Sequence, residues 1–202
     1  MCKKVIVIGG GGHAKVVIDC IQSAGDSVVG ILDDHLPVGT AVVGVPVLGA
    51  LDTYTGYKDC SFIIAIGNNA VRKAISQRLA VSWHTAIHPS AVVSRYATVG
   101  EGTVVLANAV INADASVGRH CIVNTAAVVE HDNKLFDFVH ISPRAALAGN
   151  VTVGECSQVG IGAALRQGIT ICEDCLIGAN AAVVKDITEK GIYAGVPARR
   201  LR

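Results

Sequence analysis

Ile111-Asn112-Ala113-Asp114-Ala115-Ser116-Val117-Gly118-Arg119-His120-Cys121-Ile122-Val123 carries an aliphatic residue at every sixth position. The same step gives Ile87, Val93, Val99 and Val105 before it, and Val129, Leu135, Ile141, Leu147, Val153, Val159, Leu165, Ile171, Ile177 and Val183 after it. That is seventeen consecutive Val, Ile or Leu residues. Four places later the unit holds a small side chain, as at Ala109, Ala115, Cys121, Ala127, Ala145, Ser157, Ala163 and Cys175. One place later it holds glycine at Gly100, Gly118, Gly154, Gly160 and Gly178. Such a period marks an architecture in which each unit buries its apolar face only by stacking on its neighbours. Six residues make one short strand and one turn, and three units close a triangular coil with the aliphatic side chains inside. The repeat therefore predicts a parallel β-helix of about five coils over residues 85–184, with residues 185–202 as a C-terminal cap.

Residues 1–84 read differently. Lys4 to Ile8 is a buried strand, Gly9 to Gly12 a glycine loop, and Ala14 to Ser23 a helix. Ser27 to Leu32 is a second strand ending at Asp33-Asp34. Ser61 to Ile66 is another, followed by Gly67-Asn68-Asn69 and a helix from Ala70 to Leu79. Strands alternating with helices predict a small α/β domain with a parallel sheet, half of a Rossmann-like unit. The run Gly9-Gly10-Gly11-Gly12-His13-Ala14 follows a strand, opens a helix, and has Asp33 downstream, which is the context of a phosphate-cradling fingerprint. A full dinucleotide fold needs two such halves and about 80 residues supply one, so a mononucleotide-sized ligand fits better than NAD. A tight structural turn is the alternative. A left-handed glycine is expected in the loop, with Gly11 the position singled out.

Composition narrows the function. Apolar residues make up 51% of the chain, aromatic residues 4% and charged residues 16%, which excludes disorder and favours a core of small and β-branched side chains. A net charge of +1 lacks the clustered basic excess of a nucleic-acid binder. No apolar run reaches the ~20 residues of a membrane span, and Gly9 to Gly12 interrupt the first one too early for a signal peptide. Seven irregularly spaced cysteines fit reduced thiols and a cytoplasmic location. Cys172 and Cys175 have no second pair at zinc-ligand spacing, and Cys175 falls on the small inward position, so no metal is expected. His35, His84, His88 and His120 read as surface or capping residues.

Within the repeat, the small position becomes Asn133 and the preceding turn reads Glu130-His131-Asp132, which marks a coil carrying chemistry. A histidine beside a carboxylate can act as a general base whose imidazolium the acid stabilises. Three hexapeptides on, directly above His131 in the next coil, is Gly149, whose backbone N–H no side chain shields. A base with an amide donor beside it suits acyl transfer. An exposed polar turn is the competing reading.

The repeat resembles the left-handed parallel β-helix of the hexapeptide acyltransferases, which are typically trimers using acyl-coenzyme A. The whole chain resembles their bacterial nucleotide-sugar N-acetyltransferase and sialic acid O-acetyltransferase branch. The matching pieces are Val7 to Lys15, Asp33-Asp34, Gly44 to Gly49, Ala65 to Asn68 and Ala194 to Arg199. The resemblance implies that Gly10, Gly11, Gly12, Asp33, Asp34 and Gly67 hold the nucleotide sugar, with His13 near its amine. It makes His131 the base, Asp132 its partner and Gly149 N–H the thioester or oxyanion donor. His140 and Asn124 are assigned to the acetyl-coenzyme A side, His140 as a turn residue. Asp132 stands where the family often has glutamate, one methylene longer. The implied activity is transfer of acetyl from acetyl-CoA to the amine of a UDP-linked 4-amino-4,6-dideoxy sugar, by a homotrimer. The rivals are a sialic acid O-acetyltransferase and a nonenzymatic β-helix scaffold or sugar-nucleotide sensor.

Overall fold

The computed structural model describes residues 2–201. The chain begins with β1 (Lys4–Ile8), α1 (Gly12–Ser23), β2 (Ser27–Leu32), β3 (Ala41–Val42), β4 (Val45–Gly49), β5 (Ser61–Ile64) and α2 (Asn69–Arg78). These strands form one sheet in the order β3-β4-β2-β1-β5, parallel except for the β3–β4 hairpin. The hairpin and a 3₁₀ turn at Leu51–Gly56 were not foreseen, because the two-residue β3 and the single turn leave no period to read. β5 also ends two residues earlier than expected.

Alternation along β1 sends Val5 and Val7 to one face of the sheet and Ile6 and Ile8 to the other. The first face packs on α1 and on Ala86, Val104 and Leu106 of the β-helix. The second packs beneath Leu51, Ile75 and Leu79. Helices thus cover opposite faces on either side of β1. The carboxyl end of β1 is therefore a topological switch point, where open α/β sheets bind their ligands.

The repeat forms β6 to β22, from Ala86–Ile87 to Ala182–Val183, one strand per hexapeptide. Each strand pairs in parallel with its counterparts one full coil before and after it, as Val110–Ile111 does with Val92–Val93 and Val128–Val129. The result is a three-faced parallel β-helix with the hexad aliphatics stacked inside it. From Val105 onward these residues are buried; Ile87, on the open first coil, is 37% exposed. β23 (Gly191–Ala194) and β24 (Arg199–Arg200) extend one face at the other end.

The turns explain the remaining pattern. Three residues after each aliphatic from Val99 to Ile177, the backbone is left-handed, as at Asn108, Asp114, His120, Asp132, Phe138 and Asn150. Asn, Asp and Gly recur there because they adopt this conformation most readily. Glycine one place after the aliphatic answers a close approach between coils: a Cβ on Gly100 would lie 2.6 Å from the Gly118 carbonyl carbon.

Three expectations are corrected. Asn133 does not mark chemistry: it is buried, and its Oδ1 accepts from Val151 N at 2.6 Å. Thr103 and Ser157 make the same internal link to Cys121 N and Cys175 N. His84 and His120 are core residues, not surface ones. His84 lies 3.6 Å from Asp26, and His120 stacks on Phe138 with the Trp83 ring edge-on to it. Finally, Gly11 has φ −74°, and the left-handed glycine of the loop is Gly9, at +94°.

Candidate active site

Two groups of side chains gather at different places on the β-helix, one at a corner and one on a face. The first is the Glu130-His131-Asp132 turn. Asp132 N donates to Ala113 O below, at 3.1 Å, and Asn150 N donates to His131 O from above, at 2.9 Å. The turn is therefore fixed between two neighbouring coils. His131 Nδ1 and Asp132 Oδ2 are 2.7 Å apart, so the shorter acid reaches the imidazole without difficulty. With the Nδ1 proton donated to the carboxylate, Nε2 carries the lone pair. The Asp132 hydrogen bond also raises the His131 pKa above its ordinary value.

The ring lies on Gly149. A Cβ there would sit 2.5 Å from His131 Cε1 and 2.6 Å from Nε2, closer than real Cβ contacts allow. Gly149 O accepts from Gly168 N at 3.0 Å, while its N–H has no acceptor among the described residues. A basic nitrogen and a free amide donor thus stand side by side on an open surface.

The second group lies where the α/β region meets the β-helix. His140 is not in a turn: it opens the strand His140–Ile141 and faces outward beneath the α/β region. Its Nε2 is 3.0 Å from Asn124 Nδ2, and its ring centroid is 6.4 Å from that of His13. Burial first, then the Arg72 cation, holds the His13 pKa down to about 4 and the His140 pKa to about 3; His13 adds to the effect on His140, while the Gly67 backbone opposes it. His13 Nε2 is buried without a hydrogen-bond partner among the described residues. The structure thus brings His13, Gly67, His140 and Asn124 together, and sets them apart from His131 and Gly149.

The glycine loop joins this second group. Gly10 N donates to Asp33 Oδ2 at 2.7 Å, while His35 N and Leu36 N donate to Oδ1. Although burial opposes it, these three bonds lower the Asp33 pKa. Asp34 Oδ1 accepts from Leu51 N at 2.7 Å. Both acids therefore spend bonding capacity on shaping their own loops. A cleft of about 140 Å³ opens between Gly9, Asp33, Asp34, Leu51, Ile66 and Val71. At its edge the N–H groups of Gly11, Gly12 and His13 have no acceptor among the described residues, as expected at a helix N-terminus that can receive phosphate. A Cβ on Gly10 would strike Leu36 Cδ1 at 2.5 Å, whereas Gly11 and Gly12 face open space.

A larger cavity of about 720 Å³, between Tyr54, Phe62, Trp83 and Arg119, includes none of these residues. Among the described residues no group of three or more His, Cys, Asp or Glu is placed to hold a metal, and no helix is long and apolar enough to cross a membrane. The sequence reading missed Arg72, which is fully buried at the junction. Its signal was the i, i+3 spacing from Asn69 on α2.

A stacked β-helix carrying an imidazole–carboxylate pair, joined to an α/β unit with a glycine loop at a helix N-terminus, defines a class. The chain belongs to the nucleotide-sugar acetyltransferases of the hexapeptide β-helix type. Residues 4–79 match the PglD N-terminal domain family. The acetyltransferase domain of PglB from Neisseria gonorrhoeae, solved in complex with acetyl coenzyme A, is 39% identical with a TM-score of 0.95, and the match covers 100% of both chains. PerB from Caulobacter crescentus, solved with CoA and GDP-perosamine, is 40% identical with a TM-score of 0.92, covering 99% of this chain and 98% of that one. The UDP-N-acetylbacillosamine N-acetyltransferase of Bacillus subtilis is 42% identical over 116 residues, a stretch spanning 50% of each chain.

Proposed function

We propose that this protein transfers the acetyl group of acetyl-CoA to the amine of a UDP-linked 4-amino-4,6-dideoxy sugar. The observation that carries the reading is the His131 imidazole, tied to Asp132 through Nδ1 and lying with Nε2 over Gly149. In this reading the amine nitrogen attacks the thioester carbonyl while His131 Nε2 takes its proton. Asp132 stabilises the imidazolium, Gly149 N–H donates to the developing oxyanion, and coenzyme A leaves as its thiol. Such a nucleophile needs no covalent enzyme intermediate.

Residues 1–84 serve the nucleotide sugar, residues 85–184 the transfer, and residues 185–202 close the β-helix. The amide groups of Gly11, Gly12 and His13 receive the diphosphate. Asp33 shapes the loop, Asp34 turns its remaining oxygen to the nucleoside, and His13 meets the sugar near its amine. Asn124 and His140 contact the acetyl-CoA side. The two groups sit at different places on the coil, a separation of up to roughly 20 Å for six extended residues. A neighbouring copy in a homotrimer supplies the missing half, and cyclic symmetry makes three identical sites.

The 40% identity to PerB over nearly the whole chain favours a second acceptor, a GDP-linked amino sugar. The test is thiol release from acetyl-CoA with UDP-amino sugar, GDP-amino sugar, CMP-sialate or free sialate. Release with UDP-amino sugar alone supports the first reading. Release only with the GDP sugar moves the assignment to the second, and release only with a sialate overturns both.

A further inference from the structure

A buried arginine with no acid beside it among the described residues calls for an explanation, because an uncompensated buried cation is costly. Arg72 is 1% exposed. Its Nε donates to His120 O at 2.7 Å, and its Nη2 donates to Phe138 O at 2.9 Å and Asn69 Oδ1 at 2.7 Å. Its Nη1 donates to Ile66 O at 3.0 Å and Gly67 O at 3.2 Å. All five N–H groups of the guanidinium are therefore used, and every acceptor is a neutral oxygen.

These acceptors lie on the two halves of the molecule. Ile66 and Gly67 belong to the turn between β5 and α2. His120 and Phe138 occupy the same corner of successive coils. Asn69 extends the row: its Nδ2 donates at 2.8 Å to Cys156 O, at that corner of the next coil. Three consecutive coils are thus read at one corner by two side chains of a single helix. Asn68 fixes the start of that helix by accepting from Val71 N at 3.0 Å.

We propose that Arg72 is a positioning residue for acetyl transfer: it clamps the acceptor-binding half onto the β-helix and fixes His13 and Gly67 against His140. The proposal rests on the acceptor site assigned above. The charge of Arg72 has a second effect. The titratable and charged groups facing His13 and His140 are each other and Arg72, and those facing Arg72 besides are His120, which burial and the arginine keep uncharged, and the thiols of Cys121 and Cys156. Burial pushes both thiols up, so they stay neutral, and the arginine's field acts undiminished on the two imidazoles. It helps to keep them uncharged, with His13 Nε2 free to accept a hydrogen bond from the bound amine.

Arg72→Gln and Arg72→Lys, in the full chain, test this. The readouts are the His13 and His140 titrations by NMR without substrate, kcat/KM for the UDP-amino sugar, and the Kd of acetyl-CoA. In Arg72→Gln both titrations are expected to move up toward the ordinary histidine range, and kcat/KM to fall tenfold or more, with the Kd of acetyl-CoA within twofold. Arg72→Lys is expected to hold the titrations low while still losing kcat/KM. Titrations unmoved in Arg72→Gln, or kcat/KM within twofold of wild type, overturn the proposal. Should Arg72→Gln fail to fold, Asn69→Ala removes one acceptor and the link to Cys156 but keeps the charge. It is expected to lower kcat/KM severalfold with both titrations in place, and an unchanged kcat/KM overturns the clamp. The titrations need no acceptor, so they judge Arg72 even if wild-type enzyme turns over none of the sugars offered.

Discussion

Gly149→Ala probes the transfer site with the least chemical change. The new Cβ would meet His131 Cε1 at 2.5 Å and Nε2 at 2.6 Å. Ordinary carbon contacts lie near 3.5–4.0 Å, so the ring must retreat by about 1 Å. Gly149 has no left-handed backbone to lose, so the strain falls on the imidazole. His131 is 63% exposed at its side chain and free to swing outward, loosening its 2.7 Å contact with Asp132. A misplacement of about 1 Å in a catalytic group can cost about 10²-fold. We therefore expect kcat to fall about 10²-fold, with Tm unchanged within about a degree because no core contact moves. The assay is thiol release at saturating acetyl-CoA and acceptor, alongside thermal unfolding. A kcat within about threefold of wild type would refute the placement of the base over Gly149.

Asp132→Asn removes the carboxylate that raises the His131 pKa, so that pKa falls toward its ordinary value. Because the neutral imidazole is the base, the acid limb of the kcat–pH profile should move to lower pH even as kcat drops; a limb moving upward would contradict the assignment. Gly11→Val places a branched side chain in open space where phosphate approaches, and should weaken UDP-sugar binding while leaving acetyl-CoA affinity intact by calorimetry. Gly9→Val instead meets Ile66 Cγ1 at 2.7 Å in a left-handed backbone and should destabilise the fold, the backbone alone costing about 1–3 kcal/mol. Leu147→Ala hollows one level of the β-helix core and should cost about 2–5 kcal/mol in denaturant unfolding.

How much of this was legible in the sequence follows from what leaves a period. The inward hexad residues recur without a break, so the β-helix and its number of coils could be read directly, as could the strand–loop–helix at Lys4 to Ser23. The left-handed turn position recurs in space at every hexapeptide from Gly102 to Asn180. Its occupants nevertheless include His120, Phe138 and Arg144 beside Asn and Asp, so residue type hides it. Stacking arithmetic placed Gly149 over His131 because three hexapeptides make one coil. No such arithmetic links His13 to His140, or Arg72 to His120, Phe138 and Gly67, because those contacts depend on how the α/β unit docks. Asn133 misled for the opposite reason: a polar residue in an apolar register suggested chemistry, and it instead satisfies the backbone N–H of Val151. Of the two buried histidines, His120 lies at that docking surface and His84 packs beside Asp26 and Phe62, and in neither place does a sequence pattern carry a burial signal.

The central claim is that His131 removes the proton during acetyl transfer, and His131→Ala tests it most directly. With acetyl-CoA and the UDP-amino sugar both saturating, kcat should fall by about 10²–10⁴, the contribution of a positioned general base. Both substrates' Kd values should stay close to wild type, since the turn is exposed and every inward aliphatic residue remains. A His131→Ala enzyme that turns over within a few fold of wild type would contradict the account.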